Sequence, residues 1–365
     1  MKRKIIRWLL ILIAFFSCSV TKVEPPRLDT FTKPAENPIL SADSSFVFTD
    51  PLTNSKVRWQ KADVFNPAAI VRNGKVYMVY RSEDNEAAAI GGRTSRLGLA
   101  ESTDGIFFRK FPEPVLYPTD DSDSAFDYPG GCEDPRIAQT SDGLYVMAYT
   151  SWNNEIARLS IGFSRDLVQW EKKGPAFAKA YNGRFNDQWS KSGSMITTFE
   201  KGKQVLAEIN GKYWMYWGEH LINLAWSENL YDWTPMLDAN NNLLSLASPR
   251  PYKFDSDLTE CGPPAVLFEK GVVLLYNGKN ATDDSADSTL PRGTYSTGQI
   301  VFDKNNLTEV LSRSDTSFLK PTLSHEITGQ YKAGTTFAEA LIYFKGRWFL
   351  YYGTADSFVG VAVSE

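Results

Sequence analysis

The chain has 365 residues, which is enough to bury one large hydrophobic core or two smaller ones. Its formal net charge is −4 and it contains no basic run, so nucleic acid is not expected as a partner. With two histidines and three cysteines it offers few ligands for zinc or iron, and we expect neither a metal nor another cofactor.

The N-terminal segment is typical of a bacterial export signal. A basic start precedes the apolar run Trp8 to Phe16, which is too short to span a bilayer. Ser17 and Cys18 follow as in a lipobox, although an aromatic residue stands where Leu is usual. We predict a signal peptide over residues 1–17, lipidation of Cys18 and a location in the bacterial cell envelope, periplasmic or on the outer membrane. Residues 18–40 are predicted to form a tether, and membrane contact is expected only through the lipid.

One pattern recurs from about Phe46 to the end of the chain. A turn glycine precedes an alternating strand, and a second strand ending in Ser leads to a turn and an outer strand. The copies start roughly sixty to seventy-five residues apart, which is long for a solenoid unit and suits a four-stranded propeller blade. They begin at Gly74, Gly143, Gly211, Gly271 and Gly346. The sequence therefore predicts an all-β fold, a five-bladed β-propeller over residues 41–365.

A propeller must join its first and last blades. The last copy ends with Val359 to Glu365, and the segment Ser45 to Thr49 is expected to supply a strand that closes the ring with it.

The inner strands of a propeller converge on its axis, so polar residues beside them are expected to share one central pocket. Buried ionised groups without partners are costly, and a cavity that holds several is usually kept for a ligand. A structural network, in which the cations only neutralise nearby carboxylates, is the alternative. The candidates are Asn66, Arg81, Glu133, Asp134, Arg136, Asp187, Lys191, Trp217, Glu219, Glu260, Glu339 and Asp356.

Asp134 belongs to the most informative stretch, Gly130-Gly-Cys-Glu-Asp-Pro-Arg-Ile137. The glycines permit backbone conformations closed to other residues, and Pro135 keeps Asp134 out of the helical region. We expect a rigidly presented carboxylate, with an Asp-Pro turn and a surface ion pair as the alternative. The neighbouring Cys132, like Cys261, is interpreted as a buried thiol, and a disulfide between the two is left open.

Paired carboxylates in a pocket rich in Trp and Tyr indicate glycoside chemistry. One carboxyl group protonates the leaving oxygen, and another activates a nucleophile or attacks directly. The residues alone indicate no more than this.

The motifs resemble glycoside hydrolase family 130, the five-bladed propeller family of β-mannoside phosphorylases and β-mannosidases. The matching pieces are Asn66-Pro-Ala-Ala, Tyr80-Arg81, Leu97 to Gly105, Gly131-Cys-Glu-Asp-Pro-Arg-Ile137, Ser164 to Trp170, Gly262-Pro-Pro-Ala and Tyr351-Tyr-Gly-Thr-Ala-Asp356. The resemblance implies that Asp134 is the general acid and acts through a hydroxyl of the bound mannose. It also implies that Asn66, Arg81 and Asp356 hold that mannose in the −1 subsite.

The resemblance also bears on the choice between phosphate and water. The phosphorylases carry basic residues where this chain has Gly218-Glu219, and Glu260 adds a second acidic group. This pair resembles that of the hydrolytic branch, the inverting β-1,2-mannosidases, in which two glutamates activate water. A carboxylate can accept a proton from water, whereas phosphate needs cations. Which glutamate is the base stays open.

The resemblance thus implies hydrolysis, with inversion, of a β-linked mannose-containing oligosaccharide, with the +1 sugar unspecified. A phosphorylase of the same family is the first alternative, and Glu219 and the export signal count against it. A glycan-binding lipoprotein without turnover is the second. An arabinan- or fructan-cleaving propeller enzyme lacks support from these motifs.

Overall fold

The computed structural model describes residue 28 and residues 30–88 and 92–364. The predicted signal peptide and Cys18 lie outside the described residues. Strands dominate the described part, so the predicted all-β class is confirmed, and helix is limited to α1 (Ser124–Asp127) and a 3-10 turn (Ser324–Glu326). None of the helices in these ranges has the length and apolar character needed to cross a membrane.

The strands are, in chain order, β1 (Phe31–Thr32), β2 (Phe48–Thr49), β3 (Lys56–Val57), β4 (Asp63–Arg72), β5 (Lys75–Glu83), β6 (Ser95–Ser102), β7 (Arg109–Lys110), β8 (Gly131–Gln139), β9 (Tyr145–Trp152), β10 (Ala157–Ser164), β11 (Glu171–Pro175), β12 (Ser194–Glu200) and β13 (Lys203–Leu206). They continue with β14 (Glu208–Ile209), β15 (Lys212–Trp217), β16 (Ile222–Ser227), β17 (Thr234–Pro235), β18 (Ser245–Ala247), β19 (Leu258–Cys261), β20 (Ala265–Phe268), β21 (Gly271–Lys279), β22 (Tyr295–Phe302), β23 (Val310–Arg313), β24 (Phe337–Phe344), β25 (Arg347–Thr354) and β26 (Phe358–Ser364).

The pairing repeats along the chain in antiparallel groups. Strands β4, β5 and β6 pair in succession, and so do β8, β9 and β10. The same order recurs in β12, β15 and β16, in β20, β21 and β22, and in β24, β25 and β26. The second strand of each group begins at or just after a repeat glycine, as the sequence pattern predicts. Short outer strands β7, β11, β17 and β23 extend the first four groups.

The apolar clusters lie between neighbouring groups. Met147 of the second group packs with Leu97 of the first, and Met195 of the third packs with Leu159 of the second. Equivalent clusters join the third group to the fourth and the fourth to the fifth. A further cluster combines β5 with β25 and β26, so the last group packs on the first.

The closing strand differs from the prediction. Ser45–Thr49 does not pair with the last group, because β2 pairs with β3. Instead β1 pairs with β26, with Phe31 opposite Ser364, and Leu40 bridges to Val359. The prediction was wrong because an alternating pattern identifies a strand and not its partner. Strand β1 and the Leu40 bridge therefore lie within the segment predicted as a tether.

Candidate active site

Bulges in the first strands of three groups position predicted site residues. The register shifts at Asn66 in β4, at Asp134 in β8 and at Glu339 in β24. An extra residue in one strand re-aims the side chain it carries. The φ angles of Asn66 and Asp134 are 47° and 46°, both in the left-handed region. Because β4, β8 and β24 contact one another, the three bulges bring these side chains to a common centre.

Asp134 lies at that centre and is almost fully buried. Its Oδ1 accepts hydrogen bonds from Asn66 Nδ2 at 2.8 Å and from Arg81 at 3.1 Å. Lys191 Nζ lies 3.5 Å from its Oδ2. Burial alone would raise the pKa of Asp134, but the charges of Arg81 and Lys191 outweigh it and hold that pKa well below its usual range. Asp134 is therefore ionised at neutral pH.

Arg81 joins several carboxylates. Its guanidinium contacts Glu83 and Glu133 at 2.8 Å each, in addition to Asp134, and its Nε donates to Ser95 at 3.1 Å. Burial, only partly offset by Arg81, raises the pKa of Glu133 to about 7. Glu133 and Asp134 thus share one arginine but differ in protonation, and at neutral pH this pair holds a proton mainly on Glu133.

Arg136 is fully buried and fixes the backbone around the site. It donates to the carbonyl oxygen of Asp134 at 3.0 Å, to that of Cys261 at 3.0 Å and to that of Gly262 at 2.9 Å. Its guanidinium also lies 3.2 Å from Glu339, whose pKa is raised by burial. Arg136 thereby ties the Asp134 bulge to the strand that carries Glu260.

Asp356 lies in the turn between β25 and β26, with a φ of 52°. Desolvation raises its pKa to about 6, and the charge of Asp134 adds to the rise, although Arg81 lowers it. The turn is held by Gln330, whose side chain donates to the Asp356 carbonyl at 2.7 Å. Asp356 therefore belongs to the same electrostatic cluster as Asp134.

Glu219 and Glu260 form a second carboxylate cluster. Cys261 N donates to Gly218 O at 3.2 Å, which places their backbone segments side by side. Trp189 Nε1 donates to Glu219 Oε2 at 2.8 Å, and the Ser192 hydroxyl is hydrogen-bonded to Glu260 Oε1. Burial, and then the charge of Glu219, raises the pKa of Glu260 to about 7.

Lys191 connects the two clusters. Burial would lower the pKa of this lysine, but the charges of Asp134, Glu219 and Glu260 raise it above its usual value. Its side chain is 18% exposed, so the ammonium lies at the boundary between protein and solvent. A cation placed between two sets of carboxylates stabilises the ionised form of both.

Two predicted site residues lie elsewhere. Asp187 is 72% exposed and pairs with Arg158 at 2.7 Å on the rim. Trp217 is 2% exposed and packs against Phe177 within a hydrophobic cluster, with the ring centroids 4.5 Å apart. The structure does not bring either side chain to the carboxylates, since Asp187 sits on an outward turn and Trp217 on the core-facing side of its strand.

The structure also adds residues that the sequence reasoning missed. Trp189 and Ser192 contact the two glutamates, while Ser95 and Glu83 contact Arg81. The segment from Asn186 to Gly193 holds both a tryptophan and a candidate lysine, and this proximity was the available signal.

The cysteines in the described ranges have a simple interpretation. Cys132 and Cys261 are free and buried, so the expected buried thiols are confirmed and the disulfide alternative is not.

Gly131, with a φ of 108°, lies against the Ser95 backbone and leaves no room for a Cβ. Within the described ranges, no cluster of three or more His, Cys, Asp and Glu side chains is arranged to hold a metal ion.

Comparison with known proteins places this chain in a family. The family model described as β-1,4-mannooligosaccharide phosphorylase, that of glycoside hydrolase family 130, matches residues 31–365. A 1,2-β-oligomannan phosphorylase of Thermoanaerobacter sp. (strain X514) is 30% identical over 84% of this chain and 91% of its own length.

Solved structures are more similar. A glycosyl hydrolase from Bacteroides ovatus is 50% identical, with a TM-score of 0.90, over 92% of this chain and 93% of its own. Another structure is 49% identical, with the same TM-score of 0.90 and the same coverage of 92% and 93%. This second structure belongs to work showing that the family of mannoside phosphorylases contains glycoside hydrolases that target β-1,2-mannosidic linkages in Candida mannan.

Proposed function

The chain belongs to glycoside hydrolase family 130, and on that premise we propose that it is an inverting glycoside hydrolase that releases mannose from β-1,2-linked manno-oligosaccharides. The observation that carries the proposal is the pair Glu219 and Glu260. Lys191 acts on both glutamates, whereas Lys279 is paired with Asp257 and Arg136 is held by backbone carbonyls and Glu339. Phosphate would need several cations there, whereas water needs a carboxylate.

Asp134 is the proposed general acid, acting through a hydroxyl of the bound mannose. Its low pKa in the free site means that it must gain a proton when the sugar enters. Glu133, with a pKa of about 7 and the same arginine partner, supplies the protonated member of the pair. In the reaction, water attacks the anomeric carbon and gives its proton to the glutamate pair, while Asp134 protonates the departing oxygen.

The proposed −1 subsite uses Asn66, Arg81 and Asp356 to hold mannose. Arg136 and Glu339 are fully buried, so their proposed role is to fix the backbone beneath the sugar. Glu133 and Lys191 would set the charge around the sugar hydroxyls.

The choice of a β-1,2 linkage is supported by the 49%-identical structure, whose description concerns hydrolases that target β-1,2-mannosidic linkages. Phosphorolysis is the second candidate, because the 30%-identical relative from Thermoanaerobacter is a phosphorylase and Lys191 places one cation in the site. Glycan binding without turnover is the third.

We also propose that the fold is a five-bladed β-propeller. Support comes from the antiparallel groups, from the apolar clusters between successive groups and from the packing of the last group on the first. Strand β1 would close the ring by completing the last blade, since it pairs with β26.

For location, we propose a lipoprotein of the bacterial cell envelope anchored through Cys18, an assignment that rests on the sequence pattern. Replacement by Cys18→Ala is expected to release the protein from the membrane fraction. Unchanged fractionation would refute the lipid anchor.

The function is tested by product analysis of purified protein with β-1,2-mannobiose, with and without inorganic phosphate. We expect free mannose at equal rates in both. Mannose 1-phosphate formed only with phosphate would establish the phosphorylase instead. Saturable binding without any product would establish glycan binding without turnover.

A further inference from the structure

One loop contacts all three proposed catalytic carboxylates. Within residues 189–192, Trp189 binds Glu219, Lys191 pairs with Asp134, and Ser192 binds Glu260. We call this segment the three-contact loop. Because neighbouring residues reach different carboxylates, the loop can give those carboxylates different protonation states.

Backbone contacts hold the three-contact loop in place. Ser190 N donates to Ala157 O at 3.0 Å, and Ser190 Oγ accepts from Leu159 N at 3.0 Å. On the other side Gly218 N, next to Glu219, donates to Lys191 O at 3.0 Å. The Trp189 ring packs edge-on against Trp152 at 5.8 Å. Its side-chain positions are therefore fixed from both flanks.

The two glutamates receive chemically different partners. The indole of Trp189 can only donate, so it favours an ionised Glu219. The hydroxyl of Ser192 is a neutral donor to Glu260 Oε1, and a protonated carboxyl group can still accept this bond on its carbonyl oxygen.

Solvent exposure, like the hydrogen-bond partners, favours an ionised Glu219 and a protonated Glu260. Glu260 is 3% exposed, whereas Glu219 is partly exposed. When two nearby carboxyl groups share one proton, the more desolvated group keeps it. Desolvation accordingly raises the pKa of Glu260 to about 7.

We infer that the three-contact loop makes Glu219 the ionised base and Glu260 its protonated partner, which accepts from Ser192 on Oε1 and positions the attacking water with the O–H of its other carboxyl oxygen. This rests on the proposed hydrolysis for its catalytic meaning, although the protonation states exist in the free protein. Trp189 and Ser192 are thus positioning residues. The water proton passes to Glu219 as the bond from water oxygen to the anomeric carbon forms.

A titration of the free protein tests the protonation states without turnover. The Trp189 indole N–H resonance, identified by its loss in Trp189→Phe, is followed by nitrogen-15 NMR as the pH changes. We expect no main shift of this resonance around pH 7, where Glu260 titrates. A main shift near pH 7 that disappears in Glu219→Gln would place the proton on Glu219 and overturn the inference.

The kinetics of single variants test the positioning role of Trp189. Trp189→Phe keeps the ring but removes the donor, so we expect kcat to fall about tenfold, the acid limb of the pH profile to move to higher pH, and KM to change little. Trp170→Phe, whose indole donates to the Leu167 carbonyl instead, is the matched control and should leave the profile unchanged. A higher KM with an unchanged pH profile would make Trp189 a sugar platform and overturn its positioning role.

Ser192→Ala tests whether Glu260 is the group that keeps the proton. The Ser192 hydroxyl donates to Glu260 and lowers its pKa, so we expect its removal to raise that pKa and to move the alkaline limb to higher pH. An alkaline limb that stays in place would show that Glu260 is not the protonated group and would overturn the assignment. Product analysis of the wild-type protein tests hydrolysis independently of these protonation states. If that analysis shows that the protein is not a hydrolase, the NMR titration still tests which glutamate carries the proton.

Discussion

Asp134 and Glu260, one carboxyl group from each cluster of the site, have pKa values that are shifted in opposite directions. Asp134 has direct cationic partners, Arg81 at 3.1 Å and Lys191 at 3.5 Å, and its pKa is lowered. Glu260 is buried to the same degree, but its side-chain hydrogen bond comes from a neutral hydroxyl, and its pKa is raised. Burial is therefore common to both, and the opposite directions follow from the cations Arg81 and Lys191 beside Asp134 and from the Glu219 charge beside Glu260. Asp134 can thus be held as an anion and Glu260 with a proton.

The Asp134 cluster is broken most severely by Asp134→Asn. The amide cannot donate the proton that the departing oxygen requires, so kcat should fall by about a thousandfold or more. Steady-state hydrolysis of β-1,2-mannobiose measures this change. Calorimetric titration with mannose should show that binding persists, and nearly normal turnover would remove Asp134 as the acid.

The second cluster is broken by Glu219→Gln and Glu260→Gln. Each should lower kcat by about a hundredfold, because the amide neither takes a proton from water nor shares one with its neighbour. Single-turnover rates are the measurement, and thermal unfolding of both variants controls for folding. Rates close to wild type in both variants would contradict water activation by this pair.

The pH dependence of kcat/KM tests which carboxyl groups of the site carry a proton and which are ionised. As the pH rises through about 7, Glu133 and Glu260 lose their protons, so the site loses the proton that catalysis needs and kcat/KM should fall. Towards acid, kcat/KM should also fall as the base becomes protonated. A rate that keeps rising above the range around pH 7 would contradict this assignment of protons.

The smallest effect is expected outside both clusters. Asp187 is exposed and its ion pair with Arg158 is worth less than about 1 kcal/mol. Asp187→Ala should therefore keep kcat within about twofold of wild type and leave the pH profile unchanged. A large loss of kcat in the same assay would move Asp187 into the substrate site.

The repeating part of the fold was readable from the sequence because its signals are local. Turn glycines such as Gly143 and Gly211 precede alternating strands, and the structure starts β9 and β15 within two residues of them. Asn66 and Asp134 meet because they occupy corresponding bulges in their groups, Arg81 reaches them from the strand paired with β4, and the family resemblance selected the same residues. Family membership itself is confirmed.

The features that the sequence did not predict depend on contacts between residues far apart in the chain, which no local pattern encodes. The position of Trp217 was misjudged because alternation separates two faces of a strand without saying which one faces the pocket. Trp189 was missed because it reaches Glu219 from a loop with no periodicity. The closing strand β1 was missed because a pair of two residues leaves almost no pattern.

The central claim is that water, activated by a glutamate, replaces phosphate as the nucleophile. Its most direct test is proton NMR of the first sugar formed from β-1,2-mannobiose in phosphate-free buffer, before mutarotation. Inversion by water predicts an initial excess of α-mannose over the equilibrium ratio of anomers, since the reducing-end mannose is released as a mixture. An initial excess of β-mannose, or no product until phosphate is added, would contradict the account.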